Sequence, residues 1–259
     1  MGTTRTNGSL YTKIDNKIAT VEFGHPAGNS FVADMLDRLT LAIDQLSDNP
    51  EVSVIVLRSE GNRAFCGGAS FEELTQVSTL AEGKIFFNRF ALLINAMRRC
   101  KKVIVGRVQG KTVGGGVGIV AACDYVLATE AAAVRLSELS IGIAPMVIAP
   151  AVERKIGTAA LSELSLYPTE WKNAYWALGK GLYSKVFDKI GELDRELDIF
   201  TGKLTRYNPE ALREWRKVLW EGTGHWDTLL TDRAEMTGRL ALSEQTRTAL
   251  DTFKQQSGL

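Results

Sequence analysis

Histidine and cysteine are scarce in this chain, and neither is arranged to hold a metal. Of the 259 residues two are histidines, His25 and His225, far apart and without an acid partner in sequence, and no HExxH or calcium-loop pattern occurs. The three cysteines, Cys66, Cys100 and Cys123, are an odd set without CxxC spacing, which excludes a disulfide scaffold or structural zinc site and fits a reducing cytoplasm. Apolar stretches are broken by glycine or charge well before membrane-spanning length. Met1 to Leu10 carries Arg5 but no apolar signal segment, so no cleaved signal is expected. Charge of one sign is also missing: 31 Lys and Arg against 30 Asp and Glu leave +1, with the basic residues dispersed, so nothing draws a polyanion. A soluble cytoplasmic protein with neither nucleic-acid nor membrane partners is expected. The phosphate loop GxxxxGKS/T is absent, and so is GxGxxG at the first strand-to-helix turn, which disfavours nucleotide hydrolysis and nicotinamide binding.

What is present is a hydrophobic fraction of 45%, enough for a full core in one large domain with or without a helical appendage. Tyr11 to Ile14 and Ile18 to Phe23 alternate as a hairpin around Asp15-Asn16. Phe31 to Leu46 has helical spacing and stops at Asp48-Asn49-Pro50; Val52 to Leu57 is a buried strand. A glycine-bearing loop covers Ser59 to Ser70. A helix from Ala81 to Met97, the strand Val103 to Val108, the glycine turn from Gly110 to Gly118, an apolar run to Ala122, and short strands Tyr125 to Ala128 and Ala133 to Leu136 follow. This order is an α/β signature with parallel crossovers, whose sites collect beyond the C-terminal strand ends. The second half reads as helices over Ala151 to Leu166, Pro168 to Gly179, Glu192 to Leu204, Pro209 to Leu219, Asp227 to Leu240 and Glu244 to Phe253, with a strand or turn at Leu182 to Val186. Trp215, Trp220, Trp226 and Tyr207 are expected in helix packing or an interface.

Two loops expose backbone amides after buried strands: Phe65-Cys66-Gly67-Gly68-Ala69-Ser70 and Gly110-Lys111-Thr112-Val113-Gly114-Gly115-Gly116. Such amides either hold negative charge developing on an oxygen, as on an enolising thioester, or simply permit tight turns and close packing. Glu138 stands in a mostly apolar segment, Val134 to Gly142. Partial burial there raises a carboxylate's proton affinity and suits it to exchange protons with carbon; the alternative is a solvated glutamate paired with Arg135. Cys66 reads as a small buried thiol rather than a nucleophile.

On these segments the chain resembles the enoyl-CoA hydratase/isomerase, or crotonase, family. The likeness runs through Ile18 to Phe23, His25-Pro26-Ala27-Gly28-Asn29-Ser30, Val54 to Leu57, Ala64 to Ala69, Gly106 to Gly110, Gly114-Gly115-Gly116, Cys123-Asp124, Leu136-Ser137-Glu138 and Ile141-Gly142-Ile143. It implies an α/β spiral of repeated ββα turns, core 1–195 and C-terminal helical trimerisation or capping region 196–259, assembled as a homotrimer or a hexamer of two trimers. It implies no cofactor, a coenzyme A thioester as substrate, coenzyme A lying along Ala64, Cys66, Gly67 and Ala69, and a pocket that includes Phe71, Phe90, Gly114 and Gly118. The family's oxyanion hole maps onto the amides of Gly67 and Gly115. Family hydratases generally use two glutamates; here one position is Gly118 and the other Glu138, and the aspartate often found in the first loop is Ser70. The Ser137-Glu138 segment followed by Gly142-Ile143-Ala144-Pro145 resembles the mitochondrial type of 3,2-enoyl-CoA isomerase, which works with the glutamate at this position, and implies a double-bond shift through Glu138. Leu219 to Thr223 and Ala144 to Pro150 are similar to bacterial proteins grouped with methylglutaconyl-CoA hydratases, so a hydratase or lyase stays open, as do a one-glutamate decarboxylase or thioesterase and a catalytically silent acyl-CoA binder.

Overall fold

The computed structural model describes residues 7–257; residues 1–6, with Arg5, and residues 258 and 259 lie outside the described residues. Strands β1 (Ser9–Asp15) and β2 (Ile18–Gly24) form the expected hairpin. Its turn is Asn16-Lys17, one residue later than expected, and both residues have positive φ, the backbone twist that two-residue hairpin turns require. Helix α1 (Ala33–Asp48) buries Met35, Leu36, Leu39, Ile43 and Leu46 along one stripe and leads to β3 (Val54–Ser59). A short helix that periodicity does not reveal, α2 (Phe71–Gln76), starts where the Ser70 hydroxyl accepts the Glu73 N–H at 3.3 Å. Helix α3 (Leu80–Arg99) follows, with a reciprocal Thr79 and Glu82 cap.

Beyond α3 run β4 (Val103–Val108), the two-residue β5 (Thr112–Val113), α4 (Gly115–Ala122), β6 (Tyr125–Thr129) and β7 (Val134–Arg135). Then come α5 (Ala149–Leu166), α6 (Ala174–Gly179), β8 (Lys185–Phe187), α7 (Ile190–Leu204), α8 (Pro209–Leu219), α9 (Trp226–Ala241) and α10 (Glu244–Ser257). The main sheet has the order β1-β2-β3-β4-β6-β8, parallel except for the first pair, and β5 pairs with β7 in a separate parallel ribbon. This is the expected α/β architecture of parallel crossovers with a helical C-terminal region.

The central strands read as continuous apolar runs because both faces are covered. One face joins the main core. On the other, Val54, Val56, Val105 and Leu127 pack under Leu193, Leu197 and Leu204 of α7. The boundary drawn at residue 195 therefore falls inside a helix that belongs to the sheet. Pro168 to Asn173 is not helical as expected: Lys172 exchanges backbone hydrogen bonds with Val134, so the chain runs beside β7 until Asn173 caps α6. The tail is tied down by Asp124, which accepts from Ile104 N–H at 2.8 Å, Arg216 Nε at 2.8 Å and Trp220 Nε1 at 2.9 Å. Trp220 and Trp226 pack edge to face at 5.9 Å, whereas Trp215 is 60% exposed. Among the described residues no helix is long and apolar enough to cross a membrane.

Candidate active site

Loops leaving the C-terminal ends of β3 and β4 carry the two glycine turns, and both reach one cavity of about 1050 Å³. Phe71, Phe87, Phe90, Val147 and Ile148 give it apolar walls, Gly67 to Ala69 and Val113 to Gly115 give it backbone, and Ala249, Thr252 and Lys254 of α10 close one side. Among the expected site residues, Glu138, Gly67, Ala69, Phe71, Phe90, Gly114 and Gly115 line this cavity together.

Glu138 opens a single 3-10 turn, Glu138–Ile141, just after β7. Its Oε2 is buried without a hydrogen-bond partner, and its Oε1 lies 2.9 Å from where a side chain on Gly114 would begin. Gly114 has φ +52, so both conformation and space require glycine beside the carboxylate. Burial pushes the Glu138 carboxyl up to about 7, with only a backbone hydrogen bond opposing it. The alternative of a pair with Arg135 is not what is seen: Arg135 lies over the Trp171 ring, 4.6 Å from its centroid.

The two loops differ in which amides they leave open. Gly67 was expected to point its N–H at a substrate oxygen, but that N–H donates to Gly28 O at 2.9 Å. Two residues on, Phe31 N–H donates to Gly68 O at 2.7 Å and Ser70 N–H donates to Phe31 O at 2.8 Å. This parallel bridge turns the Ala69 N–H to the opposite edge, the side of Val113 and the second glycine turn. Among the described residues neither Ala69 N–H nor Gly115 N–H has an acceptor. Gly115 is the first residue of α4, whose orphan amides and dipole favour negative charge, and the Phe90 ring packs so closely on it that a side chain would meet Cε1 at 2.4 Å.

Three expected residues stand outside the cavity. The Ala64 carbonyl accepts from Asn29 Nδ2 at 2.9 Å and Gln109 Nε2 at 3.3 Å and is part of the loop's scaffold. Cys66 is fully buried, its sulfur accepts the Gly68 N–H at 3.3 Å, and burial pushes its thiol up to about 12, which makes it a packing residue. Gly118 is covered: a Cβ there would sit 2.4 Å from Ile148 Cγ2, and it is Ile148 that faces the cavity. Sequence reasoning also missed Ile148, Arg135 and the α10 residues as lining groups. The apolar run after Pro145 was visible, but its contact with Gly118 arises only from the packing of α4 against the start of α5.

A family model described as enoyl-CoA hydratase/isomerase matches residues 13–255. A probable enoyl-CoA hydratase of Bacillus subtilis is 25% identical over 244 residues, covering 93% of each chain. The peroxisomal Delta(3,5)-Delta(2,4)-dienoyl-CoA isomerase of Arabidopsis thaliana is 27% identical over 203 residues, 74% of this chain and 72% of that one. The crystal structure of an enoyl-CoA hydratase from Bacillus halodurans superposes with a TM-score of 0.87 at 20% identity, over 94% of this chain and 99% of that one, a likeness of fold. The names fall on both sides of hydration and isomerisation, so the reaction has to be argued from the side chains.

Proposed function

The chain belongs to the enoyl-CoA hydratase/isomerase family, and from that premise we propose that it shifts the double bond of a 3-enoyl-CoA to the 2-position with Glu138 as its one acid-base group. Acyl-coenzyme A chemistry of the hydratase/isomerase type is common to the family. The observation that carries it is the pairing of one buried carboxylate, its Oε2 without a hydrogen-bond partner, with a filled second position. At Gly118, the position where the family's hydratases generally carry another glutamate, the space is taken by Ile148.

Hydration asks for one group to activate water and another to deliver the alpha proton. A double-bond shift asks for one. Glu138 takes a proton from the alpha carbon, and the C–H electrons pass through the carbonyl to make a dienolate oxygen between the N–H groups of Ala69 and Gly115. The protonated Glu138 then returns the proton to the gamma carbon, the charge collapses, and the double bond rests between the alpha and beta carbons. A carboxyl whose pKa is about 7 is half ionised near neutrality, which fits a group that must both take and give a proton. Choosing Ala69 rather than Gly67 as the first donor is supported by the Gly67 amide's bond to Gly28.

The test is incubation with matched 3-enoyl-CoA and 2-enoyl-CoA esters, followed by mass and ultraviolet analysis. Migration without a mass increase is expected; a product heavier by one water, with no migration, overturns the reading.

A further inference from the structure

Two buried polar atoms in the cavity wall have no hydrogen-bond partner. One is Glu138 Oε2, and the other is Arg135 Nε, which has no part in the proton transfer. Among the described residues no carboxylate pairs with Arg135. Its guanidinium rests 4.6 Å from the Trp171 ring centroid, and Lys111 Nζ lies 4.8 Å from the same centroid. Two cations thus share one aromatic platform, and burial disfavours the charge on Arg135. The guanidinium is half-buried, and its buried Nε–H is costly to leave without an acceptor, because a ring face replaces only part of the lost hydration.

The root of this side chain is fixed beside the Glu138 carboxylate. Arg135 O accepts the Gly114 N–H at 2.9 Å, and Gly114 is the residue whose α-carbon faces the Glu138 carboxylate. Arg135 pairs in register with Val113, which also lines the cavity, so both project from one face of the β5 and β7 ribbon. The coenzyme A phosphates, by contrast, are held away from the thioester by the pantetheine arm. A planar guanidinium fork also matches a carboxylate, two N–H groups to two oxygens.

We propose that Arg135, backed by Trp171 and Lys111, binds a second carboxylate at the end of the acyl group, so that the substrates are coenzyme A monothioesters of dicarboxylic acids. This rests on the acyl-thioester reading above, but not on the direction of double-bond migration. The experiment measures binding of unreactive saturated esters by calorimetry: succinyl-, glutaryl- and adipyl-CoA against butyryl-, pentanoyl- and hexanoyl-CoA, with free coenzyme A alongside. In the wild type at least one dicarboxylic ester binds about tenfold tighter than its monocarboxylic counterpart, the scale of one charged hydrogen-bonded contact. That ratio falls to near one in Arg135→Gln and is partly kept in Arg135→Lys. A wild-type ratio near one for all three pairs overturns the proposal, as does a ratio that persists in Arg135→Gln. Equal weakening of free coenzyme A and of the dicarboxylic ester by Arg135→Gln places the guanidinium on a phosphate and overturns it too. If Arg135→Gln fails to fold, the wild-type ratio and Arg135→Lys still decide. None of these esters reacts, so failure of the migration assay leaves this result intact, and the converse holds.

Discussion

Burial, opposed only by a backbone hydrogen bond, gives Glu138 its proton affinity, and the same burial has a pH-dependent effect on stability. Its folded pKa is raised to about 7, against about 4.3 for an unfolded glutamate. Between those values the folded state keeps a proton that the unfolded state releases, so stability falls as pH rises through this window and levels off above about 7. Glu138→Gln removes the charge and keeps the shape. It should therefore melt at a higher temperature than wild type at pH 8, with the difference shrinking toward pH 4, as followed by thermal denaturation. A wild type that gains stability relative to Glu138→Gln between pH 5 and pH 8 would contradict the assigned burial. The trait was legible because Glu138 sits in an apolar segment. The open amides proposed as oxyanion donors were half legible: Gly115 follows from its place at the head of α4, but the choice between Gly67 and Ala69 depends on the bridge to Phe31, a partner 38 residues away in sequence that no local pattern reveals.

At the scale of elements, α4 and the N-terminus of α5 meet at Gly118 and Ile148. A side chain at Gly118 collides with Ile148 Cβ and Cγ2 at 2.5 and 2.4 Å. Gly118→Ala should destabilise by about 1–3 kcal/mol through overpacking, and Ile148→Ala should relieve most of that in the double variant. Urea unfolding of the four proteins tests this; additive losses would mean that the two residues do not meet. For the same reason Gly118→Glu alone gives strain before it gives a second acid. The Asp124 tie is a second junction, between the β4 and β6 strand edges and α8. Arg216 and Asp124 are both nearly inaccessible, and Arg216 also donates to the carbonyls of Met97, Arg98 and Cys100. Arg216→Met leaves Asp124 buried with one fewer counter-charge and should cost about 3–5 kcal/mol by denaturant unfolding; an unchanged midpoint would show the tie to be dispensable. Strands and long helices were readable from periodicity to within a few residues. The non-helical Pro168 to Asn173 and the short α2 were not, because tertiary pairing to β7 and a six-residue length leave no periodic signature.

For the whole molecule, residues from β-strand loops, α3, the N-cap of α5 and α10 meet around the cavity, so distant parts of the chain converge on one site. The surface exposes Leu166 and Tyr167 at the end of α5 and Trp215, Val218 and Leu219 on α8, large apolar groups that an interface would cover. We propose a homotrimer or a pair of trimers, and sedimentation at micromolar concentration checks it, a monomer being the contrary result. The sheet's parallel order was legible as alternating strands and helices; the wrapping of α7 over its second face was not, since an amphipathic helix does not state which surface it covers.

The central claim is that one buried carboxylate moves the proton, and the pH dependence of kcat/KM for 3-to-2 migration, in wild type and in Glu138→Gln, tests it most directly. In wild type the rate should rise with a single ionisation, about tenfold per pH unit below about 7, and level off above it, because the base must be ionised to accept the alpha proton. Glu138→Gln should be slower by roughly a hundred-fold or more and flat across the same range. A variant that turns over as fast as wild type, or a wild-type profile without an ionisation near 7, would contradict it.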